Sequence, residues 1–314
     1  MRYSPISRFK GTLLGAFLGE SLTSRGKIQF QSYPDFGRMA VLGTQSLIAL
    51  GRLDLDDWIG RQQQESLDLA ATDDISIKII LATVPIALFF HENPIKLRHN
   101  LLHVLKIWED DPIVRDGTLA VGYAIALALT EKLNPLTLIP QTISFLQETP
   151  TSIPKKLLTV QNLLEQGAGL SRAQAEFARE EQLSNIIAMA FYCFLSTLED
   201  FRLAVLRATY NSNSKVQDAT PLSLQATGAI TGALSGAYNG IGSIPVNWQV
   251  LLLQRNSPIW GLTSFSQMLK LIDAFVAVWS GVYDIALNPR ELTEEGCEVA
   301  LLSVYAAPRV IRSR

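Results

Sequence analysis

Apolar residues recur at every third or fourth position through most of this chain, the spacing that lines one face of an α-helix. Nine segments carry it, near residues 8–20, 38–50, 75–91, 94–107, 115–131, 183–197, 200–209, 225–238 and 266–284. No run alternates with the period of two that a strand requires. Prolines punctuate the pattern: Pro112, Pro135, Pro140, Pro154, Pro221, Pro245, Pro258 and Pro289 fall between the segments or at their starts, where a missing amide costs nothing. The pattern predicts an all-α protein, a single compact multi-helix domain over residues 1–314. The polar stretch from Asn211 to Pro221 is its clearest loop.

Two segments carry glycine at every fourth position: Gly11, Gly15 and Gly19 in one, Gly228, Gly232, Gly236 and Gly240 in the other. Each set lies on one helical face. Glycine inside a helix costs about 1 kcal/mol relative to alanine, so such a face needs an offsetting gain. Close approach of two backbones supplies one, and the two segments are expected to pack on each other.

Composition narrows the function classes. Of 314 residues, 48% are hydrophobic and 18% charged, too apolar for a disordered chain. A net charge of −2, with no long run of either sign, speaks against a nucleic-acid partner. The run from Ile79 to Phe90 is too short to span a bilayer and contains Pro85, so it reads as a core helix, and no membrane association is expected. Without a signal-peptide pattern at the start, the expected compartment is the cytoplasm. Cys193 and Cys297 form no CxxC pair, and Cys193 sits among apolar aromatics as a core thiol. His99 and His103 lie four apart without an evident third ligand, which favours solvated histidines over a metal site.

The glycine helices carry a further signal. Thr227-Gly228-Ala229-Ile230-Thr231-Gly232-Ala233-Leu234-Ser235-Gly236-Ala237-Tyr238-Asn239-Gly240, followed by Ile244-Pro245 and Trp248, resembles the C-terminal signature helix of the ADP-ribosylglycohydrolase family. Phe9 to Leu22 is similar to that family's opening helix, with Glu20 standing where the family has an aspartate. Residues 188–195 and 200–208 resemble the helix pair before the signature helix. The resemblance implies an all-helical hydrolase fold that removes ADP-ribose from modified side chains with two magnesium or manganese ions held by three acidic clusters.

In this chain those clusters are depleted. The family's Thr-Asp-Asp-Thr run falls on Pro34-Asp35-Phe36-Gly37, its Thr-His-x-Asp-Pro run on Trp108-Glu109-Asp110-Asp111-Pro112, and its Asp-x-Asp-Thr run on Ser223-Leu224-Gln225-Ala226. Asp35 and Asp111 survive, and Phe36 takes the place of an aspartate. Two carboxylates oppose four positive charges, so no dinuclear site and no metal cofactor is expected. Thr72-Asp73-Asp74 imitates the lost run but follows the wrong segment, and reads as a helix cap. Asp35 and Asp111 read as helix caps too, or as a residual site for one cation. The family's ligand positions thus fall on Glu20, Asp35, Phe36, Asp111, Ser223, Gln225 and Thr227, none of them assigned a catalytic role.

The function these residues imply is that of a catalytically silent ADP-ribosylglycohydrolase-like protein, binding an ADP-ribose-like small molecule or a protein partner. One alternative is an active hydrolase with a substituted magnesium or manganese site, a single ion held by Asp35 and Asp111. Another is a structural subunit of an assembly. With Phe36 beside the vacated positions, its ring is expected to be buried against Ser223 to Thr227.

Overall fold

The structure, a computed structural model, describes residues 3–22, 36–65, 75–108, 111–178, 182–210, 221–254 and 259–282. Among them there is no strand. The helices are α1 (Pro5–Ser21), α2 (Phe36–Leu50), α3 (Leu55–Gln64), α4 (Ile75–Ala82), α5 (Val84–Phe90), α6 (Pro94–Val104), α7 (Pro112–Leu129) and α8 (Leu138–Leu146). They continue as α9 (Ile153–Glu165), α10 (Leu170–Phe177), α11 (Gln182–Ser196), α12 (Phe201–Thr209), α13 (Pro221–Asn239), α14 (Val246–Gln254) and α15 (Phe265–Ser280).

A polar cap followed by proline starts three of these helices. Ser4, Asn93 and Asp111 each accept a backbone N–H from the first turn of α1, α6 and α7, and Pro5, Pro94 and Pro112 occupy the first helical position. The expected helix over 75–91 is two helices that meet at Thr83. Pro85 is the cause: it has no amide to offer, and its ring crowds the carbonyl four residues back. α3, α8, α9, α10 and α14 were not among the nine expected segments. Pro221 begins α13 and so belongs to the helix; residues 211–220 of the expected loop, and Asp73 and Asp74, lie outside the described residues.

The two glycine faces meet as expected. Gly11 lies against Gly236 and Gly240, Gly15 against Gly232, and Gly19 against Gly228, so α1 and α13 run antiparallel along an almost side-chain-free seam. At each of these glycines but Gly240, where it would meet the Ser7 hydroxyl, a Cβ would collide with backbone across the seam. α12 and α11 close over α13, and α15 covers α1.

α7 is the other organising helix. By length and composition it could cross a membrane, yet 72% of it is buried in the fold, where α4, α5, α6, α8, α11 and α13 surround it. Its buried Asp116 accepts hydrogen bonds from Thr149 Oγ1 (2.5 Å) and Thr151 Oγ1 (2.6 Å) and from Arg115 Nε (3.1 Å). A carboxylate so deep in the core is tolerable only with such partners.

The seam yields a stability prediction. Gly232→Ala gains about 1 kcal/mol of helix propensity but drives a methyl into the backbone at Gly15, and overpacking of that kind costs about 1–3 kcal/mol or more. Gly60→Ala in α3, where a Cβ meets nothing within 4 Å, gains propensity alone. Urea unfolding should show the first variant less stable than the parent and the second more stable. Equal gains in both would refute backbone contact at the seam.

Candidate functional site

The antiparallel seam determines where the family's ligand positions come to lie. With Gly19 against Gly228, the last turn of α1 sits beside the first turns of α13. Glu20 is thereby brought to the same end of the bundle as Ser223, Gln225 and Thr227. Thr227 is buried, and its Oγ1 donates to Ser223 O (2.8 Å) as part of the helix. Gln225 is partly exposed, but its Oε1 is buried with no hydrogen-bond partner among the described residues.

Trp260 governs Glu20. Its Nε1 donates to Glu20 Oε2 at 2.6 Å, and its ring meets Phe17 edge-on with centroids 5.8 Å apart. The same indole lies against Gly37 in the first turn of α2, so closely that any Cβ there would overlap it. Trp260 therefore fills the junction between the end of α1 and the start of α2. A two-residue turn delivers it: Ile259 and Leu262 exchange backbone hydrogen bonds of 2.8 Å, while Trp260 (φ 48°) and Gly261 (φ 82°) both take left-handed conformations. Such a turn favours Asn-Gly or Gly-Gly, and a tryptophan there costs about 1 kcal/mol that its contacts must offset. Arg38 packs on Gly261 and pairs with Glu65.

Burial pushes the Glu20 carboxyl up to about 7, against the indole N–H, which favours the charged form. No cation is paired with Glu20 among the described residues.

Asp111 lies elsewhere in this picture. It is exposed and caps α7, its Oδ1 accepting from Ile113 N at 2.8 Å. No described hydrogen bond or ion pair links it to Glu20, Ser223 or Gln225. Asp35 and the side chain of Phe36 lie outside the described residues, so the expected burial of Phe36 falls there too. Among the described residues no three His, Cys, Asp or Glu side chains cluster as a metal site. His99 and His103 stack with centroids 6.1 Å apart. Cys193 is fully buried, and burial pushes its thiol up to about 12, which leaves it inert as a nucleophile.

Trp260 was not among the candidate positions read from sequence. Its only local signal is the Trp260-Gly261 pair between two apolar helices, and the partner it bonds is 240 residues away.

A glycine-seamed helix pair with polar residues gathered at one end defines an all-α fold of the ADP-ribosylglycohydrolase type. The profile of that family matches residues 1–284, and the chain belongs to the ADP-ribosylglycohydrolase family. A solved structure described as an ADP-ribosylglycohydrolase-related protein complex shares the fold, with a TM-score of 0.53 at 17% identity over 88% of this chain and 99% of that one. No curated protein matches the chain.

Glu20 gives the site a pH signature. The folded protein holds this proton up to about pH 7, whereas the unfolded chain releases it near 4.5. Between those values the folded state binds more protons, so the Glu20 contribution to stability falls as pH rises from 4.5 to 7 and is level above 7. The loss amounts to about 3 kcal/mol. Glu20→Gln, which can still accept from Trp260, should remove this slope and melt higher than the parent at pH 7.5. If the melting temperatures of parent and variant stay parallel from pH 5 to 7.5, burial of Glu20 is not what sets its protonation.

Proposed function

We propose that this member of the ADP-ribosylglycohydrolase family is catalytically silent and acts by binding an ADP-ribose-like ligand or a protein partner. The observation that carries the proposal is the engagement of Glu20. The group at the family's acidic position is hydrogen-bonded to an indole and has its pKa pushed up to about 7, and the indole lies against the start of α2, where kinship would put metal-binding carboxylates.

The donor set agrees with this reading. Two adjacent magnesium ions need several anionic oxygens in near-octahedral array. At this end of the bundle the described residues offer a carboxyl committed to Trp260, and neutral Ser223, Gln225 and Thr227. Asp111 stands as an exposed cap. The group implied by the family does not fit these residues, and no hydrolytic step is derived through it.

One observation favours the active alternative: a carboxyl with its pKa near 7 is suited to general acid–base work. In that reading Trp260 has to leave Glu20 before substrate can reach it. Comparison of the parent with Trp260→Ala separates the two accounts.

The test combines metal response and turnover. Millimolar magnesium or manganese should leave the melting temperature of the parent unchanged, whereas an ion at 100 times its dissociation constant adds about 2.7 kcal/mol. No ADP-ribose should be released from an ADP-ribosylated peptide by either parent or Trp260→Ala. Metal-dependent stabilisation together with release, in either protein, would overturn the silent reading.

A further inference from the structure

A groove lined by none of the family's matched positions lies beside α7. α6, α7 and the end of α8 line it as an open groove, with a volume of about 620 Å³. Tyr123, on its wall, is eleven residues along α7 from Pro112, about 17 Å from the end that Asp111 caps. The size is that of small-molecule sites generally.

Its chemistry is one-sided. Arg98 lines the cleft and no acidic side chain does. The guanidinium reaches over the end of α8: Nε donates to Phe145 O (3.3 Å), and Nη2 to Leu146 O (3.4 Å) and to Gln147 Oε1 (3.0 Å). Nη1 has no acceptor among the described residues, and no carboxylate pairs with Arg98 there. Gln147 holds its place in a left-handed backbone conformation (φ 66°) that residues other than glycine seldom adopt. Arg98 is thus held over the end of α8 with only Nη1 unused, one charged donor group open to an anion.

Beside the cation stands a flat apolar wall. The rings of Tyr123 and Phe145 stack with centroids 4.2 Å apart and planes 12° from parallel. Leu102 and Ile95 extend the apolar surface, and Ile95 is 81% exposed. The Tyr123 hydroxyl makes no hydrogen bond among the described residues. Burial pushes its pKa up, so it remains a donor at neutral pH. A groove left by three imperfectly packed helices would account for the volume. The contacts of Arg98 to the end of α8 are those of a cation at a helix C-terminus; what neither they nor the packing account for is the unused Nη1 and a free phenol beside a stacked aromatic wall, with no acid among them.

We infer that this cleft binds a small organic anion with a flat apolar body, its carboxylate taken by Arg98 and the Tyr123 hydroxyl and its body laid along Tyr123, Phe145 and Leu102. The site is independent of the silent or active state of the family's own site.

The test uses the full chain and 3-phenylpropionate as probe, with 3-phenylpropan-1-ol and propionate as controls for charge and for body. Titration calorimetry or ligand-observed NMR should show saturable binding of the acid, and binding about tenfold weaker or worse for each control. Arg98 also anchors α8, so it is left intact. Tyr123→Phe keeps the ring stack and should weaken the acid about fivefold without weakening the alcohol. Ser144→Trp, at an exposed position on the cleft wall, should abolish binding while the melting temperature holds. Equal binding of acid and alcohol would overturn the anion assignment. Unchanged binding in Ser144→Trp, or no binding of the acid up to about 10 mM, would overturn the site.

Discussion

Direct backbone contact between α1 and α13 is the constraint on which the rest of this structure depends. Helices usually keep about 8–10 Å apart because side chains fill the space between them. Here the space is closed by removing the side chains: Gly11, Gly15 and Gly19 face Gly236, Gly232 and Gly228 backbone to backbone. The propensity sacrificed at each glycine is offset by dispersion contacts along the whole seam. α7, α11, α12 and α15 then pack around a pair whose mutual register cannot vary.

That register is also what assembles the site end. Glu20 meets the beginning of α13 because Gly19 meets Gly228, and for no reason local to Glu20. The chemistry found there is that of a closed junction, with Trp260 bonded to the carboxyl and pressed on Gly37. A turn that places tryptophan in a left-handed conformation is held by those contacts, and the contacts by the turn. The fold of the family is therefore present, and the junction between the end of α1 and the start of α2 is filled by the Trp260 indole.

Much of this was legible in the sequence, for physical reasons that differ from element to element. Period-four glycines announce a close helix contact because little else justifies their cost, and the residues that carry the family resemblance are largely the same ones. Helix starts were visible where a capping side chain precedes proline, as at Asp111-Pro112. The break at Thr83 was underread, since an apolar run masks the effect of Pro85. α8, α9 and α10 were missed although their apolar residues recur at helical spacing, as Ile153, Leu157, Val160 and Leu163 do in α9. Trp260 was illegible: its role rests on a turn conformation that tryptophan disfavours and on partners at the far end of the chain. The same holds for the cleft at Arg98, whose anchoring carbonyls at Phe145 and Leu146 belong to a helix outside the nine expected segments.

The seam has a mechanical meaning as well. α1 is 17 residues long, about 25 Å, and along that length it touches α13 through backbone rather than through side chains that can change rotamer. Sliding one helix past the other by a fraction of a turn would drive each carbonyl into the next glycine, so the pair behaves as one rigid strut. A ligand at one end cannot signal to the other by shifting these helices against each other. At the Glu20 end the contacts are of the other kind: the Trp260 turn meets it through side chains, resting on Phe17, Gly37 and Arg38.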